Sequence, residues 1–311
     1  MSELILHQYA ESPFSEKVRT LLGYKQVSYR KVDIPMIMPR PYVIPLTGGY
    51  RKTPVMQMGA DIFCDTALIC RVIDEMFPDN TILPEASAVS DAALANWVDT
   101  FLFRCAVAIT FQPRAEVGNA IFKDEAAAAA FAADRAELSK GSTQLQMDLG
   151  IAEGHFLAFL NDLDTQLHHV TFLGGATPSI VDFSAFHLVW FVQGREPLRQ
   201  MFEPFTQVLL WCKRMSDFGH GDVEVIEGPI AVAEASQSEP EELLDKTFVE
   251  DLPPGQLVEV MPIDYGFQPV RGELLAAGFD EIAVGRTDPR AGRLVVHFPR
   301  MGFQITPVSL E

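Results

Sequence analysis

Cysteine is scarce in this chain. The four present, Cys64, Cys70, Cys105 and Cys212, have neither metal-ligand nor disulfide spacing, the pattern of reduced thiols in a cytosolic protein. Positive charge is also short: 24 Lys and Arg face 42 Asp and Glu, a formal net charge of -18. That balance excludes nucleic acid as a partner class, because phosphate recognition draws its affinity from clustered cations. No apolar run approaches the roughly 20 residues that cross a bilayer, and no basic, then apolar, then small-residue leader opens the chain. The expected location is therefore cytoplasmic, with no membrane partner. The seven histidines form no ligand cluster, since the adjacent His168 and His169 would point apart on a helix, so no metal is expected. A last absence is local. The stretch YAESPFSEKVRTLL, Tyr9 to Leu22, reads as strand end, turn and helix start, where a Cys-x-x-Cys would signal a redox pair; Ser12 and Ser15 hold both thiol positions. Disulfide exchange is excluded there.

At 311 residues and 48% hydrophobic content, the chain can bury two or three domain cores. Residues 1–80 alternate strand and helix signals. Leu4 to His7 is a short apolar strand, Glu16 to Tyr24 has helical spacing, and Val27 to Val32 alternates as a second strand. Pro35, Pro39, Pro41 and Pro45 forbid a regular helix between Ile34 and Gly49. Thr53 to Met58 and Ile62 to Cys64 read as a hairpin, and Asp65 opens a helix that ends before Pro78. Residues 86–217 are helical in period throughout: Ala92 to Phe111, Asp124 to Lys140, Gly154 to His168, Ser179 to Val192 and Pro204 to Met215. Residues 218–255, richer in Gly, Glu, Ser and Pro, read as a linker with one or two short helices. Residues 256–311 hold five short strand signals, suggesting a small β-barrel or compact sheet module.

Four local signals, agreeing in order and spacing over about residues 3 to 216, resemble the cytosolic glutathione S-transferases: Ser12-Pro13-Phe14-Ser15 with Lys17-Val18-Arg19 after the first strand, Thr53-Pro54-Val55 before the third, Asp65-Thr66 opening the third helix, and Pro178 to Phe183. The resemblance implies a thioredoxin-like α/β domain followed by an all-helical domain, a homodimer, glutathione as co-substrate, and detoxification of a hydrophobic electrophile. It implies Ser12 as the catalytic hydroxyl. A thiol with a pKa near ~8.5 is only a few per cent thiolate at neutral pH, and a serine is too weak a base to deprotonate it. The hydroxyl can instead donate a hydrogen bond to the thiolate, aided by the positive end of the helix dipole.

The resemblance further implies a cis Thr53-Pro54 bond whose flanking backbone, with Val55, pairs with the ligand cysteine. Asp65 and Thr66 would bind its γ-glutamyl end, and Lys52 or Arg40 its glycine carboxylate. An acceptor pocket would draw on Tyr9, Phe14, Arg104 and Phe111, with Met36 and Phe101 as further candidates. From residues alone, Ser12 and Asp65 also serve as plain helix caps, Lys52 and Arg40 as solvated surface cations, and the aromatics as core. Ser179 and Asp182 form a capping box with a folding role. The family pattern stops near residue 220, leaving some ninety residues, of which those from Gln256 onward hold five arginines, seven carboxylates and a His297 expected on a satisfied module surface. The competing reading is a non-catalytic dimerisation or interaction protein on the same fold. A cysteine-type reductase or lyase is disfavoured because no cysteine occupies the turn.

Overall fold

The computed structural model describes residues 3–111, 122–143, 146–243, 249 and 251–308. β1 (Leu4–Gln8) leads through a turn into α1 (Pro13–Tyr24), and β2 (Ser28–Asp33) returns parallel to β1. The proline-rich stretch keeps one short helix, α2 (Ile44–Thr47), before the hairpin of β3 (Val55–Met58) and β4 (Asp61–Cys64) and then α3 (Thr66–Met76). Side chains alternate across the sheet as a period of two demands. Leu4, Leu6, Met56, Met58 and Phe63 face α1, α3 and the helical domain, whereas Ile5, Val55, Ile62 and Cys64 face the opposite core.

The helical domain comprises α4 (Ala88–Trp97), a wide turn over Val98–Leu102, α5 (Phe103–Phe111), α6 (Glu125–Leu138), α7 (Leu149–Leu167), α8 (Ile180–Gln193) and α9 (Thr206–Ser216). The continuous helix over 85–111 is long and apolar enough, by composition, to cross a bilayer, which the run-length reading did not anticipate. Val98, Leu102, Cys105, Ala106 and Ile109 account for much of its apolar character by packing into the bundle. The Ser179–Asp182 capping box forms at the start of α8. Asp182 also accepts from the Leu173 and Gly174 amides and from Trp211 Nε1, so one buried carboxylate ties α8 to α9 and to the preceding loop.

The expected β-rich C-terminal region is present as β6 (Leu257–Pro262), β7 (Val270–Ala277), β8 (Glu281–Asp288), β9 (Gly292–Pro299) and β10 (Phe303–Pro307). It does not close into a barrel or stand apart. The strands form one ten-stranded sheet in the order β10-β6-β7-β8-β9-β4-β3-β1-β2-β5, joined by parallel pairing of β4 with β9. The physical reason lies in β4, an otherwise open edge that needs a partner, and in Leu294 to Phe298, which is apolar apart from His297 and suits a strand covered on both faces.

The stretch expected as a linker is also structured in its first half. β5 (Asp222–Val225) pairs parallel to β2, and α10 (Gly228–Gln237) buries Ala231, Val232 and Ala235 against the sheet. Residues 244–248 and 250 of that stretch lie outside the described residues. Gly23 makes the approach of β5 possible, because a Cβ there would stand 2.2 Å from the Gly219 carbonyl oxygen. Arg286 of β8 donates to the Pro45 and Leu46 carbonyls, satisfying part of the C-terminal end of α2, and Arg290 donates to Pro41 O.

The seam between the two halves of the sheet carries a buried charge. His297 lies between Asp61 Oδ1 at 3.0 Å and Glu281 Oε1 at 2.6 Å, stacked on Phe63. It is 4% exposed, correcting the surface role expected of it: pairing β9 with β4 covers this face. Burial opposes its charged form, but the two carboxylates overcome that and raise its pKa above the usual histidine value. A folded-state pKa above the unfolded one gives stability that is complete below about pH 6.5 and lost as pH rises through the raised value. His297→Gln should therefore cost about 2 kcal/mol at low pH, the worth of hydrogen bonds to a charged group. That deficit relative to wild type should shrink toward pH 9 in urea titrations run at matched pH, and a deficit independent of pH would contradict the assignment.

Candidate functional site

The strand register brings three of the sequence signals to one end of the sheet. His7 of β1 pairs with Val55 of β3, and Val55 pairs with Cys64 of β4. The residues just beyond that row are therefore neighbours: the Tyr9–Ser12 turn, Thr53-Pro54, and Asp65-Thr66. This is the carboxyl end of the parallel strands β1 and β2, where open α/β sheets place ligands.

Ser12 sits at the N-cap of α1, 2% exposed, with Oγ accepting from the Ser15 amide at 3.1 Å. Its oxygen caps the helix, and its own O–H is still available to donate. Ser15, at the second thiol position, is fully buried and its hydroxyl has no hydrogen-bond partner among the described residues. The turn is fixed from below by Arg19, whose guanidinium donates to Ala10 O at 2.9 Å and to Glu16. Thr53-Pro54 is cis, as is Met38-Pro39, which the sequence reading did not single out. Asp65 is the N-cap of α3, its carboxylate accepting from the Ala67 amide at 3.0 Å, with φ of 75°. A left-handed φ at a non-glycine residue costs of order 1–3 kcal/mol and persists where the surroundings impose it, commonly at ligand clamps. Desolvation pushes the Asp65 carboxyl above the usual range, with Lys52 opposing it. Thr66 follows, buried in the first turn.

The cations expected on the surface are engaged internally. Arg40 is 3% exposed and donates to the carbonyls of Pro35, Met36 and Arg51 and to Thr53 Oγ1, so it braces the cis-proline turn. Burial lowers its pKa to about 10. Lys52 Nζ meets both carboxylate oxygens of Asp264, at 2.6 and 2.8 Å, beneath the Tyr265 ring at 4.1 Å. Both partners come from the β6–β7 loop, so the C-terminal strands contribute directly to this end of the sheet.

Among the described residues, the ring contacts join Arg104 to Phe101 but do not link the other acceptor-pocket candidates to one another. Phe14 packs on Phe103 and His187, Tyr9 lies under Arg40, Arg104 covers Phe101, and Phe111 meets Phe131 and Phe191. The resemblance put these names together, but Arg104 and Phe111 on α5 face different neighbours.

Sequence reading missed the buried charge cluster beneath the Ser12 turn. Lys17, 1% exposed, pairs with Asp99 Oδ2 at 2.6 Å, and Asp99 also accepts from Ser184 Oγ and meets His187 Nε2 at 2.9 Å. Burial works against the Asp99 carboxylate, yet Lys17 and His187 outweigh it and hold its pKa at about 2. Burial lowers the His187 pKa, so the neutral imidazole is favoured. The available signal was a lysine on the helix face that carries Leu21, four residues away; its partner, 82 residues on, had none.

Residues 6–81 match the family model for the glutathione S-transferase N-terminal domain, and residues 124–214 match the one for its C-terminal domain. A solved GST-like protein from Pseudomonas syringae is 36% identical and superposes over 99% of this chain and 100% of its own, with a TM-score of 0.82. The chain belongs to the glutathione S-transferase family. Because that bacterial transferase-like protein is covered end to end, the C-terminal strands are part of a shared architecture. Glutathione S-transferase U3 of Arabidopsis thaliana is 32% identical over 92 residues, 29% of this chain, so the match spans 40% of that curated relative's length. The β-etherase LigF from Sphingobium sp. strain SYK-6 shares the transferase fold at 14% identity, with a TM-score of 0.51 over 69% of this chain and 95% of its own.

Proposed function

We propose that this transferase-family chain binds glutathione and presents its thiolate to an electrophilic, hydrophobic small molecule. The observation that carries the reading is the convergence of Ser12, the cis Thr53-Pro54 turn and the strained Asp65 at one sheet end. The Ser12 O–H donates to the thiolate. The positive end of the α1 dipole acts in the same direction. The thiolate then forms the new bond to carbon, and the leaving group departs with its electron pair. Thr53 and Val55 offer backbone groups to the ligand cysteine, while Asp65 and Thr66 receive the γ-glutamyl ammonium and carboxylate. A homodimer in the cytoplasm belongs to the same proposal, and the exposed Val89, Leu94 and Trp97 of α4 give it an apolar face.

Calorimetric titration with glutathione tests the reading. Wild type should saturate, and Asp65→Ala should weaken binding by about tenfold or more, because a hydrogen bond to a charged group is worth about 1.5–3 kcal/mol. Absence of binding at millimolar glutathione would refute it and favour the non-catalytic interaction protein. One observation favours that second reading already: Lys52, a proposed ligand cation, is held by Asp264.

A further inference from the structure

Carboxylates outnumber Lys and Arg in this chain by 42 to 24, yet the half-buried guanidinium of Arg195 forms no hydrogen bond or ion pair among the described residues. Its Nε is buried and has no acceptor. A buried donor left unmade carries the full desolvation cost of the group. Burial lowers the Arg195 pKa, and Glu11, on the turn beside Ser12, acts in the opposite sense. Glu11 is exposed to water, so it leaves the guanidinium charged and unpaired.

The place of Arg195 follows from the period of α8. His187, Phe191 and Arg195 are spaced by four, and Arg195 lies over the Phe191 ring at 5.3 Å, which carries one face of the helix past its last turn. Phe14 packs on His187 at 4.7 Å and on Phe103 of α5 at 4.8 Å, and Phe111 of α5 meets Phe191 at 5.9 Å. Phe14 and Phe111, which do not touch each other, are thus joined through α8 into one aromatic strip. The Ser12 turn runs beside it, with Phe14 on the inner end and Glu11 acting on Arg195 at the outer end. Phe14, Phe103 and Phe111 keep part of their surface exposed. The negative charge below the strip is already matched, since Asp99 is held by Lys17 and His187.

We propose that Arg195 is the anion-binding residue of the acceptor site, and that the preferred electrophile is an aromatic molecule carrying a carboxylate away from its reacting carbon. The inference rests on the glutathione reading and names the acceptor class for it. The aromatic body lies along Phe14, Phe191 and Phe111. Its carboxylate accepts from the Arg195 guanidinium, whose planar fork matches two carboxylate oxygens. At the other end the glutathione thiolate forms the carbon–sulfur bond, and a halide leaves with its electron pair.

The test measures glutathione conjugation of a chlorodinitrobenzoate and of its methyl ester, on wild type and on Arg195→Gln. The ratio of kcat/KM for the benzoate to that for the ester should fall about tenfold or more in the variant, mainly through KM, and Arg195→Lys should restore part of it because it keeps the charge without the fork. Should the variants not fold, dinitrobenzoate should inhibit wild type more tightly than dinitrobenzamide does. An unchanged ratio in Arg195→Gln, or inhibition no tighter by the benzoate than by the amide, would overturn the assignment of Arg195 and leave the glutathione site standing. Absence of both conjugation and calorimetric binding of glutathione would overturn the glutathione reading and this inference with it.

Discussion

Asp99→Ala is expected to destabilise the chain by about 3–5 kcal/mol, the cost of stranding a buried charge by removing its partner. Asp99 is the common acceptor for Lys17, Ser184 and His187, and Lys17 has almost no contact with water. The variant leaves the ammonium of α1 facing an empty place in the turn between α4 and α5. Urea denaturation at pH 7 measures the loss, and a change below about 1 kcal/mol would mean that water or a second acceptor replaces the carboxylate. The pH dependence has a definite sign. The folded pKa of Asp99, about 2, lies below its ordinary 3.8, so its contribution is present above pH 3.8 and is lost as pH falls toward 2. Wild type and Asp99→Ala should therefore converge in stability at strongly acidic pH.

Ser12→Ala is expected to lower glutathione-dependent turnover by about 100-fold, in the range found when one donor to a developing or stabilised anion is removed. The bound thiol's pKa should rise in parallel, at about 1.4 kcal/mol per unit of lost preference for the thiolate. A second effect is separable. Ser12 Oγ also accepts from the Ser15 amide, so the variant should lose about 1 kcal/mol of stability through the cap. Reading the pH–rate profile beside the denaturation midpoint distinguishes the two roles. A profile identical to wild type with reduced stability would leave Ser12 a cap and nothing more.

The readable part of this site is the part written in short stretches. Ser12 caps the helix that Pro13 begins, Thr53 precedes its cis proline, and Asp65 caps α3. Each arrangement involves neighbours in the chain, and local backbone chemistry constrains it. The roles of Arg40 and Lys52 were not readable in the same way. A cation in a loop looks solvated until the fold shows what covers it, and here Arg40 is covered by the turn it braces and Lys52 by a loop from the C-terminal strands.

The C-terminal region shows the same division. Its strands were legible as alternating or apolar runs between turn residues, because a strand's period is a property of its own sequence. Their destination was not. A paired edge depends on which strand lies open elsewhere, and β4 offered one to β9.

By itself, then, the sequence determined most element types, the transferase motifs and the absence of a redox pair at the first turn, since each follows from residues within a few positions of one another. Only the tertiary structure decided that the sheet is continuous, that His297 bridges Asp61 and Glu281, and that Asp264 holds Lys52. Those contacts join residues up to 236 positions apart. Charge and hydrogen-bond partners at that separation are chosen by packing of the whole sheet, for which no local pattern stands as a sign.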